Sequence, residues 1–158
     1  FKKKIKLSLF YFNFMEEKGN YLNINNKTWQ QGDLFELPQT RRTPKVLFDL
    51  NKGVFKIAGT SQPYDVNNFY FPLMKKIDNY LNNPCKNTHL ILNLDYINFS
   101  SSQFILAIIY RMKRVFAHNC NLRVEWFYKE ENQEMLQVGE TYAELSGLDF
   151  VFRPVKED

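Results

Sequence analysis

The feature that most constrains this chain is the run HLILNLDYI at positions 89–97, which passes through NFSSSQ at 98–103 straight into FILAIIYRMKRVFAH at 104–118. A short apolar run bounded by turn residues is the pattern of a central strand covered on its faces. The segment that follows is apolar on nearly every side in its first half and basic in its last turn, where cations complement the helix dipole. A buried strand feeding a buried helix is the unit of an α/β fold, joined by a right-handed crossover.

The same alternation extends on both sides. LFEL from Leu34 and KVLFDL after Pro44 are short strand-like runs, and Asn51 to Gly53 is a turn before the strand of Val54, Phe55, Ile57 and Ala58. This beginning reads as a small meander. Phe69, Leu73, Ile77 and Tyr80 or Leu81 then recur at helical spacing, with Asn68 expected as N-cap and Pro72 near the first turn, where a missing N–H does least harm. In NLRVEWFY, Leu122, Val124, Trp126 and Tyr128 alternate with Arg123, Glu125 and Phe127, as in a half-buried strand. Met135, Leu136, Gly139, Tyr142, Ala143 and Leu145 form a helical stripe stopped by Gly147, and FVF closes the fold. The expected architecture is α/β, a mixed β-sheet with helices packed on it, in a single domain spanning residues 34–158.

Residues 1–33 read differently. FKKKIKLSLFYFNF pairs a basic run with an apolar stretch that is too short to cross a bilayer and has no small-residue cleavage site after it. The expectation is a leader foreign to the native protein over 1–14, with a surface membrane anchor as the alternative, followed by a loose arm rich in Asn, Gln and Lys.

Charge and cysteine usage narrow the function. The net charge is +4, but Lys2, Lys3, Lys4 and Lys6 supply the excess, leaving 17 basic residues against 17 acidic in the rest. Without a basic patch, the counterion-release term that dominates nucleic-acid affinity has no source, so no nucleic-acid partner is expected. Cys85 and Cys120 belong to no CxxC pair, and His89 and His118 are equally isolated, so neither a disulfide framework nor a zinc site is implied. No nucleophile with a base, paired carboxylates, metal cluster or phosphate loop is present, so no catalytic residue, cofactor or metal is expected. Asp49 and Asp95 are carboxylates that nothing in the sequence brings together, and the acids from Glu130 to Glu134 suit the positive end of a helix.

The informative segment is NFSSSQ, because loops at the carboxyl ends of parallel strands are where such folds place their sites. Ser100 and Gln103 fit a capping box, a structural role sufficient to explain them. A phosphate at a helix start would meet free N–H groups and the positive dipole end, so a cap can double as a switch.

Three segments, FKIAGTSQPYDVNNFYFP, LDYINFSSS and VEWFYKEENQEMLQVGETYAEL, together resemble the SiaC family of regulatory phosphoproteins. That family reads close to GxSYPEN, YFNTSSSK and a WYY followed by MxExGE, in this order. The resemblance implies a STAS-like fold and a cytoplasmic bacterial protein of cyclic-di-GMP signalling. It implies partners too: a diguanylate cyclase or other signalling protein, with a kinase and phosphatase acting on a Thr or Ser of the central motif. An anti-sigma-factor antagonist or phosphorelay accessory is the second reading, since function resides in the surface carried by a scaffold.

Several residues depart from the family pattern. Phe99 stands where the acceptor Thr is expected, which leaves Ser100 and Ser101 as phosphorylation candidates. Gln103 replaces a Lys that would pair with phosphate. In the first motif Tyr64 and Asp65 stand where PEN would continue, and Asn132 and Gln133 thin the acidic cluster. The expected partner-binding loop comprises Asn98, Phe99, Ser102 and Gln103, with Ser61 and Trp126 at its mouth. Phe99 itself reads either as an apolar anchor for a partner or as a core residue.

Overall fold

The computed structural model describes residues 34–157; the expected leader and arm at 1–33 lie outside the described residues. One six-stranded sheet runs in sequence order: β1 Leu34–Leu37, β2 Lys45–Asp49, β3 Val54–Ser61, β4 Asn87–Ile97, β5 Asn121–Lys129 and β6 Phe150–Val155. The first three strands pair antiparallel, which is the expected meander, and β3 to β6 pair parallel. The parallel connections are α1 Val66–Leu81, α2 Phe99–Met112 and α3 Gln133–Ser146, with a short 3-10 helix, Lys113–His118, after α2.

Strands that advance one place at a time through right-handed crossovers put every helix on the same face. Burial follows that rule. Phe55 and Ile57 of β3, Leu90, Leu92 and Leu94 of β4, and Val124 and Trp126 of β5 are buried together with Leu73 and Ile77 of α1, Ile105 and Ile108 of α2 and Tyr142 of α3. Toward the meander the core continues as an aromatic row, Phe35, Phe48, Phe55 and Tyr80, with successive ring centroids 6.1, 5.0 and 4.7 Å apart.

Two helix starts differ from the sequence-based expectation. Asp65, not Asn68, caps α1: its side chain accepts the Asn68 N–H at 2.9 Å, so the helix begins three residues before the apolar stripe. Asn98, not Ser100, caps α2, accepting the Ser101 N–H at 2.9 Å from an extended backbone, so no capping box forms between Ser100 and Gln103. Gly147 ends α3 in the left-handed conformation, as the stripe implied. Near the end of β3 the ladder shifts register between Gly59 and Thr60; Gly59 has φ +110°, a conformation L side chains rarely adopt, and a Cβ there would meet the Gln39 side chain at 3.0 Å.

The other face of the sheet carries a buried charge. Glu125 is 7% exposed although strand alternation alone would make it a surface residue. His89 Nε2 lies 2.9 Å from its Oε2, and the guanidinium groups of Arg123 and Arg153 donate to its Oε1 at 2.7 and 3.0 Å. Burial pushes the carboxyl pKa up, but hydrogen bonds from Arg153 and His89 and the nearby positive charges outweigh it, and the net shift is downward. A carboxyl depressed in the folded state adds stability above its unfolded pKa and loses it as pH falls toward the folded one. Thermal melts from about pH 6 to about pH 3 should show a steep acid loss in the wild type and a shallower one, from a lower plateau, in Glu125→Gln. Parallel pH profiles for the two proteins would contradict this role.

Candidate functional site at the carboxyl edge of the sheet

All three helices start at the edge where the parallel strands end, capped by Asp65, Asn98 and Asn132. One peptide unit of β3 ties this edge together. Its Ser61 carbonyl accepts the Asn98 N–H at 3.0 Å, while its Gln62 N–H donates to the Arg42 carbonyl at 2.8 Å. Arg42, in the β1–β2 connection, and Asn98, before α2, are thus neighbours across a single strand, about 10 Å apart. On the other side, Asn132 donates its side-chain N–H to the Asp95 carbonyl at 3.1 Å, joining the start of α3 to the end of β4.

The residues expected at the site separate sharply by exposure. Phe99 is the first helical residue of α2 and is 50% exposed, so it is not a core residue. Asn98 and Gln103 are half-buried and Ser100 is exposed. Ser101 and Ser102 face inward, 0% and 3% exposed. Ser61 is fully buried and its hydroxyl bonds the Tyr70 hydroxyl at 2.5 Å. Trp126 is fully buried, donating its indole N–H to the Met135 carbonyl at 3.0 Å. Burial therefore keeps Ser61, Ser101, Ser102 and Trp126 off the surface of this edge.

Each inward residue has a definite task. Trp126 lies beneath the first turn of α3, and Gly139 gives it room: a Cβ at Gly139 would fall 2.6 to 2.7 Å from the indole ring. The EMLQVGE run thus encodes a close approach of helix to ring. Ser102 Oγ donates to the Phe99 carbonyl at 2.7 Å, closing the first turn of α2. Of the four N–H groups that a helix start leaves without an intrahelical acceptor, the Asn98 side chain takes that of Ser101 and the Ser61 carbonyl takes that of Asn98 itself, while the Asn98 carbonyl accepts the Ser102 N–H as the first bond of the helix ladder. Below, the Tyr70 pKa is pushed up to about 12 by burial, which the hydroxyls of Ser61 and Ser101 partly offset; that of Tyr142 is pushed up by the same cause.

Tyr64, Arg42 and Tyr96 enlarge the edge beyond the expected loop. Tyr64 is 90% exposed, with the Arg42 guanidinium carbon 4.0 Å from its ring centroid, a cation–π contact. Tyr96, near the end of β4, is half-exposed and pairs in register with Thr60. Among the described residues the edge thus exposes the aromatic rings of Tyr64, Tyr96 and Phe99. Arg42 left no signal in the sequence, because its place depends on a contact between loops. Tyr70 and Tyr142 did leave one: a tyrosine at a core-facing helical position needs a buried partner for its hydroxyl.

The two carboxylates singled out in the sequence do not form a pair. Asp49 lies level with Val54 and His89 in the sheet, whereas Asp95 is six residues farther along β4, roughly 20 Å away at about 3.3 Å per residue, so the two do not converge. Among the described residues no group of three or more His, Cys, Asp or Glu is placed to hold a metal ion. Glu134 lies in the first turn of α3, where an acid complements the dipole.

A family model described as SiaC family regulatory phosphoprotein matches residues 37–155. Among solved structures, the chain is similar to the crystal structure of diguanylate cyclase SiaD in complex with its activator SiaC from Pseudomonas aeruginosa, with 20% identity over 78% of this chain and 99% of the matched chain and a TM-score of 0.68. It is similar also to apo-SiaC from the same organism, with 20% identity, 78% and 98% coverage and a TM-score of 0.67. At this identity the structural likeness establishes the fold. A search of curated proteins found no match.

Proposed function

The chain belongs to the SiaC family of regulatory phosphoproteins, and from that premise we propose that it is a non-enzymatic binding module of cytoplasmic signalling that engages a diguanylate cyclase through the start of α2. The solved relative that is an activator in complex with a diguanylate cyclase supports this class of partner. No helix among the described residues is long and apolar enough to cross a membrane. The proposed module comprises residues 34–158.

The observation that carries the reading is the side-chain order at the helix start. The position of the family's acceptor holds Phe99, half-exposed and without a hydroxyl, and the next residue, Ser100, is the one exposed serine of the tract. Ser101 cannot receive phosphate without leaving the core. The contact surface we propose is Phe99, Ser100, Asn98 and Gln103, flanked by Tyr64 and Tyr96. With no hydroxyl at Phe99, the phosphorylation switch is weakened or lost and the surface stays competent to bind.

Intact-mass spectrometry after incubation with the cognate kinase tests this. The expected result is no stoichiometric phosphate on the wild type and phosphate on Phe99→Thr, which restores a hydroxyl at the first helical position. Stoichiometric phosphate on wild-type Ser100 or Ser101 would overturn the loss of the switch.

A further inference from the structure

The first turn of α2 is held from beneath by hydroxyls that belong to other helices. Tyr142 of α3, fully buried, donates its O–H to the Ser102 carbonyl at 2.9 Å. A carbonyl has two lone pairs, so this bond is compatible with the helix's own ladder. Tyr70 of α1, also fully buried, bonds Ser61 Oγ at 2.5 Å, and the Ser61 carbonyl accepts the N–H of Asn98, the cap of α2, at 3.0 Å. Both rings are fixed independently of their hydroxyls. Tyr142 stands edge-on to Trp126, with centroids 5.7 Å apart at 89°, and Tyr70 stacks on Phe104 at 5.1 Å and 10°.

Phenylalanine would fill these two places equally well, and a buried hydroxyl is costly unless it is bonded. The hydroxyls therefore matter for what they reach: the Ser102 carbonyl directly and Asn98 by way of Ser61, the two residues that bracket the stretch holding Phe99 and Ser100. We infer that Tyr70 and Tyr142 are positioning residues that fix the first turn of α2, so that the display of Phe99 and Ser100 is set by α1 and α3. The two hydroxyls couple the segment to the helices on either side of it. Their effect on partner binding rests on the function proposed above; their effect on the first turn does not.

Hydrogen–deuterium exchange on the full chain tests the inference. Tyr142→Phe removes one oxygen and keeps the ring, so amides of residues 100–103 should exchange about fivefold faster while those of β4 and β5 stay as in the wild type. Tyr70→Phe should give the same local pattern, and it decides the matter should Tyr142→Phe fail to fold. Affinity for the cyclase should fall by a similar factor. A role confined to general stability predicts faster exchange throughout the sheet. Either that uniform increase or an unchanged first turn overturns the inference. A local exchange effect in a protein that binds no cyclase would count against the proposed function alone.

Discussion

Trp126→Ala is expected to destabilise the domain by about 3–5 kcal/mol, the range for deleting a large aromatic from a packed core. Its surroundings put it in that range. The indole is fully buried, it stands edge-on to Tyr142, and it stacks near Phe150 with centroids 6.4 Å apart. Its N–H also satisfies the Met135 carbonyl in the first turn of α3. The surroundings cannot close the gap cheaply, because Gly139 has no side chain to move into it and its helix already lies against the ring. Denaturant unfolding read by circular dichroism measures the change. A loss below about 1 kcal/mol, the level of ordinary surface substitutions, would place Trp126 outside the core. Trp126→Phe should lose less, since it keeps much of the apolar volume and gives up the hydrogen bond.

The fold was largely legible because its periodicities are strong. In β5 the alternation of Val124 and Trp126 with their neighbours already assigns the helix-covered face, and the order of strand and helix signals implies the parallel half of the sheet. Where reading and structure differ, the cause is tertiary. Helix starts at Asp65 and Asn98 depend on the backbone just before the helix, and in a polar stretch several residues have side chains able to cap. Glu125 looks like a surface residue until His89 and Arg153, 36 and 28 residues away in sequence, are seen to surround it.

The site was legible as a segment and not as a surface. NFSSSQ stands out because a polar tract joins two apolar elements, yet the sequence cannot say which serine faces outward. One step along a helix turns a side chain by about 100°, and fixing Asn98 as the cap is what exposes Ser100 and buries Ser101. Trp126, assigned from sequence to the mouth of the site, lies in the core beneath α3. The aromatic company of Phe99 was hidden for another reason: Tyr64 comes from the loop before α1 and Tyr96 from the end of β4, and only the pairing of β3 with β4 brings the two to one edge.

Phe99 is the residue on which the functional account depends. It is half-exposed at the first helical position, so truncation leaves no cavity in the core, and alanine is a favourable helix residue. Phe99→Ala should therefore leave the melting temperature close to that of the wild type, and a loss of binding is then a loss of contact. A central aromatic anchor of an interface contributes about 2 kcal/mol or more, which is roughly thirtyfold in affinity. Titration of the wild type and Phe99→Ala against the diguanylate cyclase of the same cell should give that thirtyfold difference; equal dissociation constants for the two proteins would contradict the assignment of the α2 start as the partner surface.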